Sequence, residues 1–470
     1  MSERPHNLLL AFYGDDFTGS TDALEFLSRA GAKTALFIEP PTPEQLARYD
    51  GLRAIGVAGM TRSLAPAQME ATLRPAFRQL RQLGAPHVHY KVCSTFDSSP
   101  TIGSIGRAID VGADVFQAPF VPLLVAAPPL GRYCAFGNLF ARMGIGSTGT
   151  IHRLDRHPSM RKHPVTPADE SDLRLHLGRQ TDKCIGLFDL LHIALPEPEA
   201  RSALDQLMQQ GAEVVLFDAM YASQLAGIGR LIDRYASPQA PLFSVGSSGI
   251  EMALGAHWQQ AEQLQPQTAW ADPGRAEPLL VASGSCSPVT SGQIAWALSQ
   301  GFREVVLDTA ALAARPDDAA LLDGYASTIT EQVNDGRHVI LHTNGGENAS
   351  ATNEIFAQQG LDASALRERT AQLYGTALGT ILRNVVARTG VQRLVVAGGD
   401  TSSFAARALG IEAVEMIAPL SPGAPLCRAY APNSPVDGRE VNFKGGQVGR
   451  EDYFGTVLEG KQPALHPTHS

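Results

Sequence analysis

Two adjacent acids, Asp15 and Asp16, close a short apolar run from Asn7 to Gly14 and lead into Phe17-Thr18-Gly19-Ser20-Thr21-Asp22. Such a run reads as a buried strand of a parallel sheet. Its acids then stand at the strand's C-terminal end, where open α/β sheets bind ligands. Thr61-Arg62-Ser63 follows a second apolar run through Val57, Lys91 lies in a further one, and Ser94-Thr95-Phe96-Asp97-Ser98-Ser99-Pro100 comes after it. Parallel strands bring these ends to one edge. An arginine can grip a carboxylate with two parallel hydrogen bonds, and a lysine supplies a compact charge. With the hydroxyls beside them they suit a small anionic, hydroxylated ligand. A carboxylate there could orient or deprotonate a substrate hydroxyl. The same residues have plainer roles: an Asp after a strand is a common helix cap, and Lys91 could simply pair with an acid.

The second half offers different chemistry. Leu280-Val281-Ala282-Ser283-Gly284-Ser285-Cys286-Ser287-Pro288 and Leu394-Val395-Val396-Ala397-Gly398-Gly399-Asp400-Thr401-Ser402-Ser403 both read as strand, small-residue turn and helix start. Small residues admit a ligand close to the backbone, and the free N–H groups of a helix start favour phosphate. Phe443-Lys444-Gly445-Gly446-Gln447-Val448-Gly449 adds a glycine-rich loop that holds a cation. One such turn is most often only a turn; three in one domain point to a nucleotide. No GxxxxGK[ST], no GxGxxG after the first strand and no GxSxG occurs, which counts against a P-loop enzyme, a dinucleotide fold and an α/β-hydrolase. The basic segment from Ile151 to Pro164 carries His152, His157 and His163. Their spacing places them on no common helical face, so the segment reads as a solvated or anion-contacting loop rather than a metal site.

The elements between these residues must position them. Asp22, with Glu25 three residues on, offers a helix cap, Ala23, Leu27 and Ala30 form a stripe, and Gly31 offers a stop. Lys33–Ile38, Leu52–Ala58 and Val88–Val92 read as strands. Pro66 opens a helix striped by Met69, Leu73, Phe77 and Leu80, with Pro75 expected to kink it. Further strand patterns fall at Cys184–Leu190, Glu213–Phe217, Leu242–Val245, Leu279–Ala282, Glu304–Leu307, His338–His342 and Arg393–Ala397, with a long helix through Tyr374, Leu378, Ile381 and Val385. Alternation of this kind specifies an α/β class: two α/β domains, each a mostly parallel sheet flanked by helices. The expected boundaries are 1–257 for the first domain, a Gln-, Ala- and Pro-rich connector at 258–277, and 278–470 for the second.

At 470 residues the chain exceeds one ordinary core. It is 44% hydrophobic and 18% charged, a globular composition. Its 38 basic and 47 acidic residues leave a formal charge of −9, which argues against nucleic acid as partner. The best membrane candidate, around Val115 to Ala127, is broken by Gln117, Pro119 and Pro122, and the N-terminal apolar run is too short for a signal peptide. Five scattered cysteines without a CxxC fit a reduced, cytoplasmic protein with no structural zinc.

The combination resembles the four-carbon acid sugar kinase family. The carrying motifs are Asp15-Asp16-Phe17-Thr18-Gly19, Thr61-Arg62-Ser63, the block from Lys91 to Ser98, Gly284-Ser285-Cys286-Ser287, Gly398-Gly399-Asp400-Thr401-Ser402, Pro422-Gly423-Ala424-Pro425 and Lys444-Gly445-Gly446, in order over nearly the whole chain. The resemblance implies phosphorylation of a terminal hydroxyl of a small sugar acid, with ATP and Mg2+ as cofactors, in carbohydrate-acid catabolism. The first domain would hold the acid and the second ATP, with the active site expected in the interdomain cleft. By carry-over, Asp16 is the base, with Asp15 the alternative. Arg62, Lys91, Asp97 and Ser98 contact the acid. Ser283 or Ser285, Gly398, Gly399, Asp400, Thr401 and Gly445 contact the nucleotide. Two departures stand out. The family loop Lys-Ser-Gly-Asn-Phe-Gly is here Lys444-Gly445-Gly446-Gln447-Val448-Gly449, and the segment from Leu154 to Thr166 differs from the tetronate-kinase pattern. Both allow a different acid, such as a branched or 3-oxo acid of the 3-oxo-isoapionate type. An NAD-dependent hydroxy-acid dehydrogenase and a non-catalytic sugar-acid-binding protein are the competing readings. A small-molecule acid is the expected partner, and a homodimer is compatible with the sequence, which leaves oligomeric state open.

Overall fold

The strands form where apolar residues run unbroken, and the first is buried along its whole length, Leu10–Gly14 (β1). The computed structural model describes residues 7–143, 149–163, 165–316, 318–343, 355 and 363–461; Pro164 of the histidine-bearing segment lies outside them. The chain divides into two units, Met1–Thr268 and Ala269–Ser470. The division falls within the stretch expected as connector. Trp258 at its start is buried and still belongs to the last helix of the first unit, Gly249–Gln260.

In the first unit β1 is joined by β2 (Thr34–Phe37), β3 (Ala54–Ala58), β4 (His87–Lys91), β5 (Val121–Leu124), β9 (Ile185–Phe188), β10 (Val214–Phe217) and β11 (Leu242–Gly246). All pair in parallel, in the order β2-β3-β1-β4-β11-β5-β10-β9. Connections from β1 lead to β2 and β3 on one side, and the chain then crosses to β4 on the other. The order therefore reverses between β1 and β4, and ligands bind α/β sheets at such a switch point.

The first helix, Phe17–Ala30, begins earlier than expected: its cap is Asp16, which accepts the Gly19 N–H, and Asp22 lies inside it. It ends at Gly31 in the left-handed region, φ 95°. The helix Pro66–Gln82 runs on past Pro75 and buries Met69, Leu73, Phe77 and Leu80 as its stripe predicts. Phe77 packs against Tyr13, Tyr90, Phe116 and Phe243, an aromatic layer beneath the β1/β4 edge. Position 56 in β3 is occupied by glycine with no room for a side chain: a methyl there would lie 2.1 Å from the Phe12 ring.

Two features are new relative to the sequence patterns. β5 contains Pro122, which reads as a breaker; its pairing with β11 starts only at Leu123, so the missing N–H is spared on that side. A separate antiparallel sheet is built from β6 (Arg132–Ala135), β7 (Asn138–Arg142) and β8 (Ile151–Arg153). The segment expected as a loop thus contributes β8 and two short 3-10 turns, Leu154–Arg156 and Met160–Lys162.

In the second unit β12 (Leu279–Ser283), β13 (Arg303–Val306), β14 (Val339–His342), β15 (Arg393–Ala397) and β18 (Glu440–Lys444) are parallel, in the order β13-β14-β12-β15-β18. An antiparallel pair, β17 (Ala424–Tyr430) and β16 (Ala413–Ser421), continues from β18. Lys444 is therefore the last residue of a buried strand rather than part of the loop. The order reverses again, this time between β12 and β15. Leu279, Val281, Phe302, Ile340, Val395, Leu426 and Phe454 form the core of this unit. Among the described residues no helix is long and apolar enough to cross a membrane.

Candidate active site

At the β1/β4 switch point the backbone itself draws the acidic motif to its partners. The Asp15 N–H donates to the Lys91 carbonyl at 2.9 Å, and the Arg62 N–H donates to the Asp15 carbonyl at 3.1 Å. Arg62 then spans both acids. Its Nε and Nη2 donate to Asp15 Oδ2 and Oδ1 at 3.0 and 2.7 Å, and its Nη1 donates to Asp16 Oδ2 at 2.7 Å. Asp16 is further engaged by the Gly19 N–H at 2.7 Å and by the Thr18 hydroxyl at 3.0 Å. Burial raises the Asp15 carboxyl above its ordinary value, against the pull of Arg62. Burial would lower Arg62, but Asp15 and Asp16 outweigh it and hold the guanidinium well above its usual range.

Gly19 shows where the groups converge. A methyl built on it would lie 2.5 Å from Asp16 Oδ1, 3.5 Å from Lys91 Nζ and 3.6 Å from Arg62 Nη2. Lys91 is buried and faces Asp22 at 3.5 Å. Burial would lower Lys91, but Asp22, Glu251 and Asp15 keep it above its usual range. Asp15, Asp16, Arg62 and Lys91 thus form one cluster, and Asp16 combines the capping role with the ion pair. Asp97 and Ser98 lie on the loop after β4. They line a cavity with Leu154, Thr166 and His176, and the Ser98 hydroxyl lies 2.8 Å from His176 Nε2.

Beneath Lys91 is an arrangement that escapes sequence reasoning. Glu251 lies in the first turn of Gly249–Gln260, fully buried, with neither carboxyl oxygen hydrogen-bonded and 3.5 Å from His89 Nε2. Burial pushes the Glu251 carboxyl up to about 8 and the His89 ring down to about 3. The burial that keeps His89 neutral at pH 7 also favours the protonated form of Glu251. The turn Gly246-Ser247-Ser248-Gly249 has the small-residue make-up of the second-half turns, and Ser248 donates to Asp22; that composition was the available signal. Glu251 has a testable consequence. Its folded-state pKa is raised above the ordinary 4.5, so the stability it contributes is full below that value and is lost as pH rises through about 8. Calorimetric melts of Glu251→Gln should show a smaller fall in Tm between pH 5 and pH 9 than the parent protein; an unchanged fall would place the titration elsewhere.

In the second unit three turns meet at the β12/β15 switch point. The Gly284 N–H donates to the Ala397 carbonyl at 3.1 Å, and the Gly398 N–H to the Lys444 carbonyl at 2.9 Å. Methyls on Gly284 and Gly398 would lie 2.5 and 2.9 Å from Thr401 Oγ1, and one on Gly446 2.8 Å from Ser285 Oγ. Ser283, Ser285, Gly398 and Thr401 are thereby gathered. Gly399 and Asp400 open the helix Gly399–Ala408, and Gly445 links Lys444 to Gly446. Ser287 caps the helix Pro288–Ser299 beside them. The departing residues of the third loop are anchored by Gln293, which donates to the Val448 and Arg450 carbonyls at 3.0 and 2.8 Å.

Lys444 is fully buried, donates to Thr290 Oγ1 at 3.0 Å, and among the described residues has no carboxylate within 4 Å. Burial pushes its ammonium down to about 7. Two helix starts and a buried cation without an acid fit a polyphosphate. The histidines of the basic segment serve turns instead: His157 Nδ1 accepts from the N–H groups of Ser159 and Met160, and His163 Nδ1 from that of Thr166. Among the described residues no cluster of three or more His, Cys, Asp or Glu could hold a metal.

One unit with an acid-and-cation cluster at its switch point, and another with glycine turns and a buried lysine, define a two-domain protein that handles a small hydroxylated acid and a nucleotide. Family models agree: residues 10–254 match a sugar-binding N-terminal domain and residues 280–454 a nucleotide-binding C-terminal domain. The chain belongs to the four-carbon acid sugar kinase family. It is 43% identical over 460 residues to a 3-oxo-isoapionate kinase of Paraburkholderia graminis, covering 97% of this chain and 95% of that one. It is 33% identical over 461 residues to a 3-oxo-tetronate kinase of Methylobacterium radiotolerans, covering 96% and 99%. A crystal structure from Salmonella typhimurium LT2 aligns with a TM-score of 0.72 at 26% identity, covering 96% and 98%. The chain is an enzyme, a sugar-acid kinase with ATP as donor. The dehydrogenase and binding-protein readings fall away.

Proposed function

We propose that the enzyme transfers the γ-phosphoryl group of ATP to a terminal hydroxyl of a branched or 3-oxo sugar acid of the 3-oxo-isoapionate type. The observation that carries this reading is that the Asp15–Asp16–Arg62–Lys91 cluster and the Ser285–Gly398–Thr401–Lys444 cluster occupy the switch points of their two sheets. The 43% identity to a 3-oxo-isoapionate kinase supports the branched acid over a tetronate.

In this mechanism Arg62 holds both acids in place, and Lys91 adds positive charge beside the acid-binding space. Asp16 is already engaged by the Gly19 N–H, the Thr18 hydroxyl and Arg62. Among the described residues the Asp15 carboxyl is held by Arg62 alone and is raised above its ordinary value by burial, so the proton of the attacking hydroxyl goes to Asp15 rather than to Asp16, the base implied by resemblance. The attacking oxygen forms the new bond to phosphorus as the bond to the ADP oxygen breaks in line. The turn N–H groups and Lys444 stabilise the phosphate charge. Mg2+ brought with ATP would supply charge neutralisation at the phosphates; among the described residues no group of three or more His, Cys, Asp or Glu is placed to hold it independently of the nucleotide.

A panel of sugar acids with ATP and Mg2+ in an ADP-release assay tests the substrate. We expect kcat/KM for 3-oxo-isoapionate to exceed that for 3-oxo-tetronate by at least ~10-fold, the order expected when one pocket discriminates small structural differences. Equal values would sink the branched-acid reading, and no acid-dependent ADP release would sink the whole proposal.

A further inference from the structure

The cluster at β1 and β4 leaves a question of charge. Arg62 already carries two carboxylates, and Lys91 already faces Asp22. A sugar acid brings a carboxylate of its own, and neither cation is free for it.

Among the described residues of the first unit, Arg132 is the only Lys or Arg that is more than nine-tenths buried and has no carboxylate within 4 Å; it is 6% exposed. It opens β6 in the small antiparallel sheet. Its Nη1 donates to three carbonyls, Leu130 at 3.2 Å, Gly131 at 3.3 Å and Arg142 at 3.1 Å, which fixes the plane of the guanidinium. Its Nε is buried and has no partner.

The unused edge, Nε with Nη2, is the edge this protein uses elsewhere to hold carboxylates. Arg62 grips Asp15 with Nε and Nη2, Arg153 grips Asp155 and Arg174 grips Asp172 in the same way. Arg132 presents that fork without an acid. A buried, always-charged guanidinium is costly until paired. Burial pushes it below its usual range, while Cys93, Asp97 and Asp22 pull it back. It therefore lies within electrostatic reach of the loop after β4 and of the acid that faces Lys91. His157, from the segment that departs from the tetronate-kinase pattern, also feels its charge.

We infer that Arg132 is the residue that receives the substrate's carboxylate, through the Nε and Nη2 edge that its backbone-bonded Nη1 holds in place. The inference rests on the sugar-acid kinase reading and adds to it the anchor for the acid end. Asp97, with one buried carboxyl oxygen lacking a partner, is then placed to accept a substrate hydroxyl rather than to bind the acid end.

The test is titration calorimetry of the full-length enzyme, without ATP, using the best acid of the substrate panel and its primary amide as probes, beside steady-state KM for acid and for ATP. Arg132→Met should weaken acid binding by about 100-fold, within the range seen when one partner of a buried charge pair is removed. It should leave amide binding and the KM for ATP within about threefold, so that the preference for acid over amide collapses. Arg132→Lys, which keeps the charge and loses the fork, should fall between the two and guards against misfolding of the methionine variant; melts of both report the fold. Acid binding unchanged in folded variants, or acid and amide weakened equally, would overturn the inference while the kinase reading stands. A parent enzyme that binds and phosphorylates none of the acids would instead overturn the reading on which it rests.

Discussion

Replacing Asp15 with asparagine should lower kcat by roughly 10²- to 10⁴-fold, the span of a lost general base, while the affinity for ATP stays within about twofold. Asparagine preserves the shape and still accepts a hydrogen bond from Arg62, so the loss is chemical rather than structural. The raised pKa of Asp15 adds a signature. In the parent enzyme kcat/KM should rise with pH through a group above the ordinary aspartate value of 3.8 and then level off. That acid limb should vanish from the residual activity of Asp15→Asn. Asp16→Asn should cost less, because asparagine is as good a helix cap as aspartate and Arg62 remains held by Asp15. Stopped-flow or coupled assays across pH 4 to 9 separate the two variants. A larger loss in Asp16→Asn, with the acid limb intact in Asp15→Asn, would hand the proton to Asp16.

The second large effect belongs to the nucleotide side. Gly284→Val should raise the Kd for ATP by at least ~10-fold, and abolish saturable binding if Thr401 is expelled. The space for a first carbon at Gly284 is already taken by Thr401 Oγ1 at 2.5 Å and Cγ2 at 2.9 Å. Thr401 is buried and β-branched, so it cannot swing clear without moving the first turn of Gly399–Ala408. That turn and the Ser285 turn supply the N–H groups that face phosphate. The acid-binding unit is built from other residues, so calorimetric binding of the sugar acid should survive. Loss of both ligands together would report unfolding rather than a blocked phosphate site. Gly398→Ala is a milder companion: its φ of 129° is unfavourable for an L-residue, and its methyl meets Thr401 at 2.9 Å. Strain of this kind costs about 1–3 kcal/mol, which a thermal melt reads directly.

The architecture was legible where periodicity is strong. The strand through Leu10–Gly14, the stripe of Met69, Leu73, Phe77 and Leu80, and the strand Arg393–Ala397 stand close to where their apolar spacing puts them. It was illegible where a local rule met a tertiary exception. Pro122 sits inside a sheet because its neighbour pairs only from Leu123 onward. Pro75 stays within one continuous helix whose stripe is buried on both sides of it. The hairpin of β6 and β7 turns at Phe136 and Gly137, both with positive φ. Its amides are held by Asp218, at 2.5 and 3.0 Å, from a residue more than eighty positions away. No window of sequence contains that contact.

The amino-acid sequence alone determined the class of chemistry. Paired acids after a strand, an Arg and a Lys at later strand ends, and three glycine turns in the second half are local patterns, and local patterns follow from backbone geometry. Only the tertiary structure decided how charge is shared among those residues. Arg62 and Lys91 looked like free cations for a substrate, yet folding gives both to the protein's own carboxylates. Among the described residues of the first unit, the buried guanidinium fork left without an acid is on Arg132, in a strand with no motif to mark it. Partnership between ionised groups depends on distance in space and on exclusion of water, and neither is encoded by spacing along the chain.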